Sequence, residues 1–114
     1  MKKFRKLYTK EQRINEFNNI NKKYPERIPV IVDIENGKEL FLKKRKFLVE
    51  RDMIFINFIH IVRKMLKVSP NESLFFLYEG TIPAPTHTLG QIYGERTSED
   101  GFMVLTVAKE NTFG

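Results

Sequence analysis

The stretch "FINFIHIVRKMLK", Phe55 to Lys67, constrains this chain more than any other segment. It is rich in β-branched and aromatic residues, yet it is too long for an ordinary strand. Phe55, Phe58, Ile59, Val62, Met65 and Leu66 recur on one face at helical spacing. The spacing predicts a helix over Phe55–Leu66. Such a helix must cover its apolar face, and the flanking segments supply a sheet to do so. "RIPVIVDI" is β-branched and compact and predicts a strand over Ile28–Ile34. "KFLVE" predicts a second, Lys46–Glu50, separated from the first by the turn "ENGKE" and a basic run. "LFFLY", closed by Glu79-Gly80, predicts a third, and "FMVLTV", after the turn signal Asp100-Gly101, a fourth.

The remaining helices are shorter or polar. "YTKEQRINEFNNINKKYP" opens on Thr9 with Gln12 three residues later, a capping-box pattern. Ile14, Phe17 and Ile20 share one face, and Pro25 stops the helix with Tyr24 extended before it. Lys3 to Leu7 forms a separate small helix in this reading, and "LGQIY" another. "SPNE" has capping-box spacing and is expected to make a helical turn. The order is helix, strand, strand, helix, strand, short helix, strand, with no linker and no internal repeat. Neighbouring strands joined by a short loop pair antiparallel. A hairpin, a long crossing helix and two further strands describe an α+β β-grasp, with other small α+β sandwiches still open at this point.

Composition narrows the chemistry. A chain of 114 residues suits one domain around one core. It has no cysteine, which removes disulfides, a thiolate nucleophile and most zinc sites, and fits a reducing compartment. No apolar run reaches membrane-span length, and no signal-peptide pattern opens the chain. His60, within the apolar helix, reads as a packing or hydrogen-bonded residue, and His87 as a loop residue. Neither has a ligand-spaced partner, so no metal or cofactor is expected. No nucleophile has an obvious base and no glycine loop cradles phosphate, so the chain does not read as an enzyme. Glu50 and Asp52, beside the basic run, read as salt-bridge partners.

The formal charge of +6 sits entirely at the N-terminal end. Residues 1–27 hold nine Lys/Arg and three acids, and the rest of the chain balances eleven against eleven. Such a segment seeks an acidic protein, anionic lipid or nucleic acid, or is simply a solvated helix face. The run Lys43-Lys44-Arg45-Lys46 reads as an import or nucleic-acid patch, or as an electropositive rim beside a groove. With no defensible pattern of exposed stacking aromatics, no nucleic-acid partner is expected.

"KYPERIPVIV", "RKFLV", "LFFLY", "GQIYGE" and "EDGF", followed by "ENTFG", resemble the GABARAP-type ubiquitin-like modifiers of autophagy. The resemblance covers nearly the whole chain and makes it a divergent member. It implies a ubiquitin-like β-grasp preceded by two N-terminal helices in a single domain, 1–114. Residues 1–25 would be the basic helical segment, 26–108 the core and 109–114 the conjugation tail. It also implies that Gly114 presents a free carboxylate, exposed in family members by a cysteine protease that also deconjugates. Activating and conjugating enzymes would pass this carboxylate to phosphatidylethanolamine on autophagosomes. Glycine suits that path because it has no Cβ to clash in a narrow channel. The protein would be cytoplasmic until lipidated and membrane-attached afterwards.

Peptide capture is the second implied function. Cargo receptors and adaptors carrying an aromatic-x-x-aliphatic motif would add a strand to the second strand's edge. The aromatic side chain would meet Glu16, Ile20, Pro29, Ile31, Lys46, Leu48 and Phe102. The aliphatic one would meet Phe47, Val49, Met53, Phe58, Ile61 and Val62. Strand alternation supports that split independently, because Lys46 and Leu48 share one face and Phe47 and Val49 the other. Arg27 and Lys44 would form an electrostatic rim with Lys46, favouring acids before the aromatic anchor. Departures from the family pattern are a shorter loop carrying Leu40 and Phe41, Glu50 in place of a proline, and Met65 in place of an arginine. An unconjugated ubiquitin-like adaptor, or a modifier serving organelle maintenance, are the alternatives.

Overall fold

The computed structural model describes residues 2–35, 40–94 and 98–110. In chain order the elements are α1 (Phe4–Leu7), α2 (Lys10–Lys23), β1 (Arg27–Ile34), β2 (Lys46–Glu50), α3 (Phe55–Leu66), β3 (Leu74–Tyr78), α4 (Leu89–Gly94) and β4 (Met103–Lys109). The strands form one sheet in the order β2-β1-β4-β3. β1 and β4 run parallel at its centre, while β2 and β3 pair antiparallel at its two edges. This is the β-grasp arrangement predicted from the element order.

The centre of the sheet is buried on both faces, which explains why "IPVIVDI" is a continuous apolar run broken only by Asp33. Ile28, Val30, Val32 and Ile34 face α3 and α4, and Ile31 faces the N-terminal helices. α3 lays Phe55, Phe58, Val62 and Leu66 on the sheet. Each such burial stabilises by about 1.5–3 kcal/mol. The helix stops at Lys67, whose backbone is left-handed (φ 56°) and whose N–H donates to the carbonyls of Arg63 and Lys64.

α2 begins with the predicted capping box: Thr9 Oγ1 accepts from Gln12 N–H and Gln12 Oε1 accepts from Thr9 N–H. Its expected face of Ile14, Phe17 and Ile20 is only half-buried, and the buried residue of this helix is Arg13. The reason is Asp100, which is buried in the turn before β4. Arg13 donates to Asp100 and to Glu99, and Arg5 of α1 also donates to Asp100. The N–H of Phe102 donates to the same carboxylate, 3.0 Å away. Gly101 follows in a left-handed backbone (φ +93°), and a Cβ there would overlap the Phe17 ring. α1 is held again by Phe4, whose ring is buried and whose N–H donates to Asp33. Asp33 is also paired with Arg45, which donates in turn to the Lys2 carbonyl.

"SPNE" makes the expected turn: Glu72 N–H donates to Ser69 O at 3.0 Å, Ser69 N–H donates to the Glu72 carboxylate at 3.4 Å, and the Arg63 guanidinium occupies the carbonyls of Ser69 and Glu72. Two local expectations are corrected. His60 is exposed, since it points to the solvent side of α3. Glu50 and Asp52 make no ion pair among the described residues. Within the basic run, Arg45 and Lys46 pair instead with Asp33 and Glu16.

Candidate functional site

A cavity of about 160 Å³ opens between α2 and the β1–β2 hairpin. Its walls include Ile20, Tyr24, Pro29, Ile31, Lys46, Leu48 and Phe102. Val30 and Phe47 line it as well. The sequence reading names six of these nine for the aromatic side chain, omits Tyr24 and Val30, and assigns Phe47 to the aliphatic side chain. The signal for Tyr24 was weak, an aromatic before proline on a face that only the α2–β1 packing defines. Glu16, also named, is not a wall of the cavity. It holds the Lys46 ammonium at 2.9 Å, and that ammonium also lies 5.4 Å from the Tyr8 ring centre and 5.8 Å from that of Phe4. Lys46 is thus a cation fixed at the cavity's edge.

The residues expected to meet the aliphatic side chain lie on the opposite face of β2 and on α3. Val49, Phe58 and Val62 are buried in the main core, and Phe47 and Met53 pack half-buried against it. Phe47 meets Phe58 edge-on, with ring centres 5.3 Å apart. Ile61 is 41% exposed. The apolar patch on this side is the surface left by Phe47, Met53 and Ile61, over a core floor of Val49, Phe58 and Val62.

Between cavity and patch runs the open edge of β2. Val32 N–H donates to Arg45 O, so in an antiparallel ladder Arg45, Phe47 and Val49 turn their polar backbone groups toward β1. Lys46 and Leu48 alternate with them and turn theirs outward. The rim cations are divided. Lys44 lies over the Phe47 ring, 5.1 Å from its centre, on the patch side. Arg27 stands opposite Glu50 at the far end of the hairpin, around an open basin with Glu26, Arg51 and Asp52. The expectation that Arg27 and Lys44 flank the aromatic site with Lys46 therefore does not hold. Only Lys46 does.

Electrostatics fix the wall that α2 provides. Burial raises the Asp100 carboxyl, but hydrogen bonds from Arg5, Arg13, Phe102 N–H and Ser98 outweigh it and hold the group below the ordinary carboxylate range. Arg13 is held above its usual value, its burial outweighed by Asp100 and Glu99. Among the described residues no cluster of His, Cys, Asp or Glu could hold a metal ion. Gly114 lies outside the described residues.

A family model described as "Autophagy protein Atg8 ubiquitin like" matches residues 12–114. Autophagy-related protein 8h of Arabidopsis thaliana is 36% identical over 115 aligned positions, covering 100% of this chain and 97% of that protein. Autophagy-related protein 8 of Schizosaccharomyces pombe is 36% identical, covering 97% and 93%. Among solved structures, the crystal structure of Trypanosoma brucei ATG8 superposes with a TM-score of 0.85 at 26% identity, covering 100% of this chain and 99% of that one.

Proposed function

This chain belongs to the Atg8 family of ubiquitin-like autophagy proteins, and from that premise we propose that it is a lipid-conjugated modifier that captures receptor peptides at the open edge of β2. The observation that carries the peptide reading is the placement of one cavity and one apolar patch on opposite faces of the same edge strand. In an extended peptide, residues three apart point to opposite faces. An aromatic-x-x-aliphatic segment added at Lys46 and Leu48 therefore drops its aromatic residue into the cavity and lays its aliphatic one on the patch. Backbone bonds give the docking its register, and the two anchors give most of its affinity.

In this reading the chain is not itself an enzyme. Gly114 is the atom-level site of attachment: its carboxylate is activated, carried as a thioester and transferred to the amine of phosphatidylethanolamine. Activating and conjugating enzymes, a deconjugating cysteine protease and motif-bearing receptors are its partners. The protein divides its time between cytoplasm and autophagosomal membrane. Residues 1–25 act as a basic arm, 26–108 as the binding body and 109–114 as the tail. No described helix is long and apolar enough to cross a membrane, so attachment in this reading comes through the tail.

Two experiments test the halves separately. Gly114→Ala is expected to keep the fold and to slow lipidation greatly in the presence of both enzymes; a full yield of lipid adduct by mass spectrometry would overturn the conjugation site. Calorimetry with a short aromatic-x-x-aliphatic peptide is expected to show saturable binding that Ile31→Asp abolishes. Undiminished binding to that variant would overturn the groove.

A further inference from the structure

We propose that Phe41 and the lysines around it form a membrane-contact face at the pole of the molecule from which the tail leaves. The inference rests on the conjugation reading above and deepens it by naming the surface that meets the lipid.

Phe41 is 72% exposed, more than any other large apolar side chain among the described residues. A single exposed apolar residue is ordinary and by itself means nothing. Phe41 differs in how it is held. Its neighbours Leu40 and Leu42 are both buried in the main core, so the ring between them is turned outward on an anchored backbone.

The topology then decides which end of the molecule carries it. Segment 40–45 enters β2 past the C-terminal end of β1, because the Arg45 carbonyl accepts from Val32 N–H. β4 runs parallel to β1, with Val107 beside Ile34, so the chain leaves β4 at this same end. The last described residue, Glu110, donates its N–H to Ser73 O just before β3 begins. α3 also ends at this pole, since it connects the opposite end of β2 to the start of β3. Phe41, the exit of the tail and the last turn of α3 therefore share one end of the sheet.

Charge at this pole selects the occupant. Lys43, Lys44, Lys64 and Lys67 are exposed there, and none has a carboxylate within 4.0 Å among the described residues. The carboxylates of Glu35 and Glu72 are already held by Lys3 and Lys109, at 3.0 and 2.9 Å. Glu110 is the remaining described acid. An outward aromatic ring at the same end of the sheet as these lysines suits an anionic bilayer: the ring enters the boundary between headgroups and acyl chains, and the cations meet lipid phosphates and carboxylates. Each lysine near such a surface contributes about a fivefold gain in partitioning. A tail tethered to lipid from this pole brings the face to the membrane at high effective concentration.

The chain has neither tryptophan nor cysteine, so both a reporter and a tether can be unique. Phe41→Trp combined with Gly114→Cys is coupled to maleimide-phosphatidylethanolamine in vesicles of phosphatidylcholine and phosphatidylserine. This bypasses the conjugating enzymes, so the result speaks to the face alone, while Gly114→Ala tests conjugation. A blue shift of the reporter on tethering, quenching by brominated lipid chains, and loss of most of that quenching in Lys43→Glu with Lys44→Glu are the expected results. Ile82→Trp, at a site 63% exposed beyond the other end of β3, is expected to keep its water-exposed emission. Emission from Phe41→Trp that is unchanged on tethering, or a shift equal to that of Ile82→Trp, overturns the proposal. A concentration-dependent shift without vesicles would replace it with a protein contact.

Discussion

Asp100 joins the turn before β4 to both N-terminal helices, and its chemistry sets how the molecule responds to acid. Its folded-state pKa lies below the value it has in the unfolded chain. Its stabilisation is therefore present above about pH 4, the ordinary aspartate range, and is lost as pH falls through the depressed folded value. Urea midpoints measured from neutral pH downward should fall below that point, and Asp100→Asn should be less stable at neutral pH with a flatter acid limb. An acid limb as steep as that of the parent would show that other carboxylates control it. Met65 lies one helical turn beyond Ile61 on α3, whereas Glu50 stands opposite Arg27 at the far end of the hairpin, so these two departures act in different places. Met65→Arg should strengthen peptides bearing an acid beside the aliphatic anchor by about 0.2–1 kcal/mol, the range of exposed ion pairs. Calorimetry with paired peptides that differ only in the acid's position would check it, and an equal gain for both would count against this placement.

At the scale of elements, β2 and α3 each present a buried side and an outward side. Leu48 turns its N–H outward, so proline at this position leaves the bonds to β1 intact and removes one docking donor. Leu48→Ala should weaken peptide binding through the lost cavity wall. Leu48→Pro should weaken it by about 1 kcal/mol more, the typical net worth of one hydrogen bond. Equal losses by calorimetry would argue against strand addition. Along α3, Phe58 is 1% exposed and Ile61 41%, although both border the patch. Chemical denaturation should give a loss of about 3–5 kcal/mol for Phe58→Ala and within about 0.5 kcal/mol for Ile61→Ala. Peptide affinity should fall in the second variant even so.

For the whole molecule, the excess positive charge is not uniformly free. Lys3, Arg5 and Arg13 are bound to carboxylates of the body, which fastens the helices and withdraws these cations from outside partners. Lys2, Lys6, Lys10, Lys22 and Lys23 have no such partner among the described residues. Co-flotation with anionic vesicles should therefore weaken as salt rises and fall when Lys2 and Lys6 are reversed to glutamate. Reversing Arg13 should instead unfasten α2, seen as lost stability. Unchanged flotation of the lysine variant at low salt would remove the arm from membrane association.

Local periodicity and turn chemistry were sufficient for the elements themselves. The capping box at Thr9, the helix over Phe55–Leu66 and the strands at Lys46–Glu50 and Leu74–Tyr78 are all properties of neighbours in sequence, which is where helical and strand periods are written. The division of β2 into a cavity face and a core face was legible for the same reason, since alternation along a strand is local. Only the tertiary structure decided what distant groups do to one another. Arg13 is buried on a helix whose pattern assigns the inside to Ile14 and Phe17, because its partner lies 87 residues away at Asp100. Lys44 and Arg27 part company because the hairpin register sets Arg27 opposite Glu50, whereas Lys44, ahead of β2, lies over the Phe47 ring. Periodicity records which side of an element is apolar; which charge meets which depends on the packing of elements whose sequence separation carries no local trace.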